Sequence, residues 1–262
     1  MLKRILLTTM LLLSTAAQAM SFEENQAVAE VFQKAKVNGT FVLYDVAKQR
    51  LIGYNPKRAE TRFLPASTFK IPNSLIGLET GAVSSVDQIF WHYDGGPTFL
   101  DSWKKDMNLR EAIKVSNVPA YQALARRIGL ENMQANINKL NYGSREIGKK
   151  VDIFWLEGPI KISAVEQTAF LARLAQQQLP FSKKNQLNVR DILKQESGQN
   201  WALYAKTGWT GRVAHPIGWF VGWVEQDGKI YSFALNIDMP EFSKGQTRLD
   251  VAKASLKALG LL

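Results

Sequence analysis

The chain has 262 residues, no cysteine, two histidines and a formal charge of +10. Without cysteine there is no disulfide framework, thiolate nucleophile or cysteine-ligated zinc, and His92 and His215 alone cannot build a multi-histidine metal site. With 46% hydrophobic and 21% charged residues the chain is expected to fold around a sizeable core, and any catalysis to run on oxygen and amine side chains.

Lys3 and Arg4 open the chain, an apolar run covers residues 5–13, and Ser14-Thr15-Ala16-Ala17-Gln18-Ala19 follows. A basic start, a short apolar core and a small-x-small end describe a secretory signal peptide cleaved after Ala19. The run is too short to span a bilayer, which takes about 20 residues. Residues 20–262 are therefore expected to be released to the periplasm or medium, with no membrane attachment after cleavage. Losing Lys3 and Arg4 lowers the charge from +10 to about +8. The remaining lysines and arginines are scattered, which predicts a generally basic surface and no nucleic-acid partner.

Residues 22–35 place Phe22, Ala27, Val28, Val31 and Phe32 at helical spacing. Residues 40–46 and 50–54 read as the two strands of a hairpin. The middle is helix-rich, with helices predicted over 67–78, 119–128, 131–140, 164–177 and 184–194. Pro119 suits a first helical turn and Gly129 a helix end. Residues 201–206, 217–225 and 229–238 read as strands, and Asp227-Gly228 joins the last two with a strong hairpin signal. A closing helix is predicted over 246–261. Strands at both ends with helices between them predict an α/β fold of the α+β type. Its central antiparallel sheet is built from both termini and flanked by helices, with a helical lobe inserted. With no repeat, low-complexity tract or linker, residues 20–262 are expected to form one two-lobed domain.

Ser67-Thr68-Phe69-Lys70 stands at the predicted start of a helix, where a serine and a lysine three residues on share a face. Lysine serves a serine nucleophile as base only when its ammonium is destabilised by burial or by neighbouring positive charge. Taken alone the pattern is weak, because Ser102–Lys105 repeats it and a capping serine with a surface lysine explains either copy. Lys206-Thr207-Gly208 ends an apolar strand. A lysine and a hydroxyl beside a glycine there suit an anionic acyl substrate, although a strand end before a turn has the same residues. Ser116-Asn117-Val118 precedes Pro119; a hydroxyl there can relay a proton, or the segment can simply cap a helix.

The three elements in this order are far more specific than any one of them, and they resemble the active-site elements of penicillin-recognising serine enzymes. Residues 65–74 (Pro-Ala-Ser-Thr-Phe-Lys-Ile-Pro-Asn-Ser), Ser116-Asn117-Val118, Tyr142-Gly143, Phe154-Trp155-Leu156-Glu157-Gly158, Lys206-Thr207-Gly208-Trp209 and residues 217–225 narrow the resemblance to class D, oxacillinase-type β-lactamases. It runs from about residue 22 to the C-terminus. One departure is Ser144, where the family usually has asparagine. Val118, in place of the asparagine of class A enzymes, favours class D.

The resemblance implies a role for each matching residue. Ser67 is the nucleophile that opens the β-lactam ring. Lys70 is the general base, as a lysine N-carboxylated by carbon dioxide or bicarbonate, with no other cofactor and no metal. Val118 and Phe69 supply an apolar pocket for it, and Trp155 an indole N–H for the resulting anion. Ser116 passes a proton to the leaving nitrogen, supported by Lys206. The backbone N–H groups of Ser67 and Trp209 form the oxyanion hole, Gly208 leaves room for substrate, and Thr207 with Arg248 holds its carboxylate. His92 and His215 have no context for a Ser-His-Asp triad and are expected to be structural or surface residues. The implied partners are small β-lactams, and the protein is expected as a monomer or homodimer. The competing readings are a β-lactam sensor domain that stays acylated and, behind it, a cell-wall D,D-peptidase. A sensor of this kind hangs from membrane-spanning segments, which the expected cleaved chain lacks.

Overall fold

The computed structural model describes residues 21–262, so the signal peptide expected at residues 1–19 lies outside the described residues. Strand β1 (Phe22–Glu24) precedes helix α1 (Gln26–Ala35). The helix predicted from residue 22 thus begins four residues later. Asn25, in extended conformation, accepts the Val28 N–H and sets the boundary. The hairpin of β2 (Gly39–Asp45) and β3 (Arg50–Tyr54) follows, then the short α2 (Pro56–Glu60).

A tight 3-10 turn (Ala66–Phe69) leads directly into α3 (Lys70–Glu79). The inserted helices are α4 (Leu109–Lys114), α5 (Val118–Ile128), α6 (Leu130–Leu140) and the one-turn α7 (Phe154–Glu157). Next come α8 (Ala164–Ala175) and α9 (Lys183–Leu193). The chain then returns to the sheet with β4 (Lys194–Ser197), β5 (Trp201–Trp209), β6 (Ile217–Gln226) and β7 (Lys229–Asp238), and closes with α10 (Gly245–Ala258). Helices α2, α4 and α7 are too short to show a period in the sequence, and β4 is exposed along its whole length, so it carries no alternation.

The described residues form a seven-stranded sheet in the order β1-β3-β2-β7-β6-β5-β4. Strands from the two ends of the chain meet at its centre, where β2 and β7 run antiparallel with Val42 opposite Ala234. The predicted antiparallel sheet has one departure: β1 joins the edge parallel to β3, Phe22 opposite Leu51. Asp227 and Gly228 both take positive φ, 50° and 73°, the conformation of a two-residue turn whose twist matches its strands.

Alternation along the central strands separates two cores. Phe41 and Leu43 of β2, with Phe220 and Val224 of β6, pack with Val28 and Phe32 of α1 and Val251 and Leu256 of α10. Val42, Trp219, Val221 and Trp223 face the other way, against a larger core that includes Leu75, Leu124 and Leu171. Burying each such side chain contributes roughly 1.5–3 kcal/mol, which anchors the inserted helices to the sheet. Among the described residues no helix is long and apolar enough to cross a membrane.

Candidate active site

The site forms where the 3-10 turn, the α4–α5 junction, α7, β5 and α10 converge. A 3-10 turn repeats every three residues, so Ser67 and Lys70 stack on one side of it. Lys70 Nζ lies 2.8 Å from Ser67 Oγ. Pro65 gives the turn no side-chain cap, which leaves its first backbone N–H groups, Ser67 among them, without acceptors inside the turn. The other copy of the pattern sits elsewhere: Ser102 and Lys105 are exposed, and Lys105 pairs with Glu111 at 2.6 Å.

Lys70 is fully buried, with Nζ 5.3 Å from the centre of the Tyr121 ring. Burial first, and the charge of Lys206 second, hold its amine well below the ordinary lysine range. Ser116 occupies the left-handed region, φ 55°, between α4 and α5, while its neighbour Asn117 caps α5 by accepting the Ala120 N–H. The capping role foreseen for this segment therefore falls to Asn117. The backbone strain at Ser116 aims its hydroxyl at Lys206 Nζ, 3.1 Å away. Val118, half-buried, packs against the larger core as the first residue of α5.

Lys206, Thr207, Gly208 and Trp209 complete β5, which runs three residues beyond the strand predicted from the sequence. Strand β4 pairs with β5 only as far as Tyr204, so the far end of β5 is an open edge. Thr210 donates its N–H to Ile217 O, and in an antiparallel ladder such pairs alternate. Thr207 and Trp209 therefore turn their N–H groups to the open edge. A Cβ on Gly208 would lie 3.1 Å from Pro65 O and from Thr68 Cγ2, so glycine lets the strand lie against the serine turn.

Arg248, on α10, is 8% exposed and donates from Nη1 to Gly208 O at 2.7 Å, which excludes a free surface arginine. Its burial pushes the guanidinium down to about 10. The Lys206 ammonium is pushed down to about 7, first by burial and then by Arg248. None of the ion pairs among the described residues involves Lys70, Lys206 or Arg248. Three buried basic groups without a carboxylate make a pocket suited to anions.

Residues 16–259 match the penicillin binding protein transpeptidase domain family. The chain is 40% identical over 252 residues to β-lactamase OXA-5 of Pseudomonas aeruginosa, covering 95% of this chain and 94% of the relative. It is 41% identical over 241 residues to β-lactamase OXA-48 of Klebsiella pneumoniae, covering 92% and 91%. Its fold superposes with a TM-score of 0.88 on FUS-1 (OXA-85), a class D β-lactamase from Fusobacterium nucleatum subsp. polymorphum, at 51% identity and covering 90% and 98% of the two chains. This chain belongs to the class D β-lactamases.

The class D enzyme places the remaining expected residues plainly. Trp155 is fully buried, stacked on Phe69 at 5.4 Å, and its Nε1–H has no acceptor among the described residues. An unpaired buried N–H costs roughly 1–3 kcal/mol, so an indole left in this state next to the Lys70 turn fits an anion formed on that lysine. His92 is exposed and pairs with Asp106 at 2.6 Å, and His215 is exposed in the β5–β6 loop, so neither reaches Ser67. Ser144 donates its N–H to Lys161 O at 2.8 Å, and its hydroxyl accepts the Lys161 N–H at 3.1 Å. Both bonds staple the 142–144 corner to the segment after α7.

Sequence reading missed Tyr121. Its ring lies over Lys70, and its hydroxyl lies 2.7 Å from Ser74 Oγ. It occupies a core position of an amphipathic helix, which looks the same in sequence whatever it touches.

The depressed Lys206 amine sets a sign for pH dependence. Between about 7 and 10.5 the unfolded chain holds the proton and the folded chain has released it, so stability rises with pH across that window. Relative to Lys206→Met, the unaltered protein is expected to gain thermal stability as pH rises through this range. Denaturation scans at several pH values check it; a constant difference contradicts the buried neutral amine.

Proposed function

We propose that this class D enzyme hydrolyses the β-lactam ring of penicillin-like antibiotics through an ester on Ser67, with Lys70 N-carboxylated as the general base. Exported to the periplasm, it gives its cell antibiotic resistance. The observation that carries the reading is the buried Trp155 Nε1–H without an acceptor, together with the unneutralised Lys70, Lys206 and Arg248.

A neutral amine adds carbon dioxide and releases a proton, and the depressed Lys70 amine suits that capture. The carbamate supplies an anionic base for both halves of the reaction. Ser67 Oγ loses its proton and bonds to the lactam carbonyl carbon. The Ser67 and Trp209 N–H groups hold the developing oxyanion. As the carbon–nitrogen bond breaks, Ser116 delivers a proton to the ring nitrogen, and Lys206 Nζ, 3.1 Å away, donates a hydrogen bond that holds the Ser116 hydroxyl in place. Thr207 and Arg248 receive the substrate carboxylate, with Gly208 giving it room along the open edge of β5. Water then attacks the ester and frees Ser67.

The exported protein is expected to turn over a chromogenic cephalosporin many times per molecule, with activity rising on addition of bicarbonate and falling on acidification. One stoichiometric burst with a stable adduct would replace hydrolysis with the sensor reading. Trp155→Phe keeps a large aromatic ring and removes the N–H. A hydrogen bond to a charged group is worth about 1.5–3 kcal/mol, so the bicarbonate needed for half-maximal activity should rise roughly ten- to hundredfold. An unchanged requirement removes Trp155 from the carbamate's support.

A further inference from the structure

Helix α8 buries Ala164, Gln167, Leu171 and Leu174 along one face. Gln167 is a polar member of that apolar stripe, and no step of the reaction uses it. An amide taken out of water costs free energy unless its polar atoms are bonded, so the partner it finds shows what it is for. Gln167 Nε2 donates to Thr68 Oγ1 at 2.9 Å, and Thr68 Oγ1 donates to Pro65 O at 2.7 Å. A carbonyl oxygen can only accept. The single Thr68 hydroxyl proton therefore points at Pro65, and the glutamine must present its NH2 side to Thr68. The relay has one direction, from Gln167 through Thr68 to Pro65.

The turn it reaches carries Ser67. Ala66, fully buried between Pro65 and Ser67, takes φ 46°, in the left-handed region that costs an alanine free energy and suits a glycine. A residue stays in such a conformation where its surroundings over-determine it. Here Trp219 Nε1 donates to Leu64 O at 2.9 Å, just before the turn. Pro65 O accepts both the Thr68 N–H, at 3.1 Å, and the Thr68 hydroxyl. Gln167 then fixes that hydroxyl from a helix 99 residues along the chain. Relaxation of Ala66 to negative φ would swing the next peptide and carry Ser67 Oγ away from Lys70 Nζ, now 2.8 Å from it.

We propose that Gln167 is a positioning residue for acylation: through Thr68 it clamps the 65–68 turn with Ala66 left-handed, and so keeps Ser67 Oγ on Lys70. The inference rests on the reading of Ser67 as the group that takes up the β-lactam.

Gln167→Met keeps the length of the side chain and removes its N–H. It is expected to slow acylation by saturating penicillin about tenfold, read by stopped flow and intact mass, with the half-saturating concentration unmoved; a 1 Å misplacement of reacting groups costs up to about 10²-fold. Thr68→Val should slow acylation likewise, and Thr68→Ser should recover the rate. Combining Gln167→Met with Thr68→Val should add little to either, because one relay is broken. Ala66→Gly placed in Gln167→Met should recover most of the rate, since glycine holds the positive φ unaided. Thr168→Val, next on α8, removes a hydroxyl bonded to Val165 O within its own helix and should leave acylation unchanged, whereas a general loosening of α8 would slow both.

Normal acylation in Gln167→Met, or a loss that Ala66→Gly does not recover, overturns the clamp. Should Gln167→Met not fold, the Thr68 pair decides, and equal rates in Thr68→Val and Thr68→Ser overturn it. Acylation is read before any product is released, so a chain that keeps its adduct sinks only the hydrolysis reading. An adduct that survives on Ser67→Ala sinks the nucleophile reading, and thermal stability then judges the clamp. Ala66→Gly should gain more stability in the unaltered protein than in Gln167→Met, and equal gains overturn it.

Discussion

Ser67→Ala is expected to abolish covalent capture of any β-lactam and to lower turnover on the order of 10⁵-fold or more, the scale seen when a serine nucleophile is removed. The reason is positional as well as chemical. Ser67 and Ser102 each stand three residues before a lysine, but only Ser67 sits with its hydroxyl 2.8 Å from a buried amine. Its turn also has no side-chain cap for its first backbone N–H groups, and Trp209 turns its own N–H to the open edge of β5. Intact-mass measurement after incubation with a penicillin should show the adduct on the unaltered protein and none on the variant. Ser102→Ala is the matched control and should retain both adduct and turnover, because its partner Lys105 is committed to Glu111 at the surface. An adduct of equal yield on Ser67→Ala would move the nucleophile elsewhere.

Lys70→Ala is expected to lower kcat by about 10³-fold, within the 10²- to 10⁴-fold span of a general base, and bicarbonate should not restore the loss. A charged lysine at this depth has no carboxylate to pair with, and Lys206 repels it. The fold therefore favours the neutral amine, the form that takes up carbon dioxide. The same substitution separates the two halves of the reaction. Residual acylation by Ser67, driven by the oxyanion donors, would accumulate an ester that is no longer hydrolysed. Stopped-flow turnover and intact mass on one sample read both steps. Normal rates in Lys70→Ala would exclude this lysine as the base.

Much of the fold was legible because its signals are local. The Asp227-Gly228 turn needs two positive-φ residues between alternating strands, and it forms there. Asn25 illustrates the limit. The helix spacing was legible but its start was not, since a strand three residues long gains its identity only by pairing with β3. Arg248 shows the same division at the site. Nothing in its flanking residues distinguishes it from a surface arginine, and the contact that buries it comes from Gly208, 40 residues away.

By itself the sequence determined the chemical parts and their order: a serine with a lysine one tight turn on, a hydroxyl before Pro119, and Lys-Thr-Gly along a late strand. These depend on spacing within one element, which backbone geometry dictates. Tertiary structure alone decided which serine–lysine pair is buried, that the amines of Lys70 and Lys206 are held below the ordinary lysine range, that Trp155 keeps an N–H without an acceptor among the described residues, and that Arg248 reaches Gly208 O. Desolvation and repulsion are sums over neighbours that arrive from remote parts of the chain, so no local pattern encodes them.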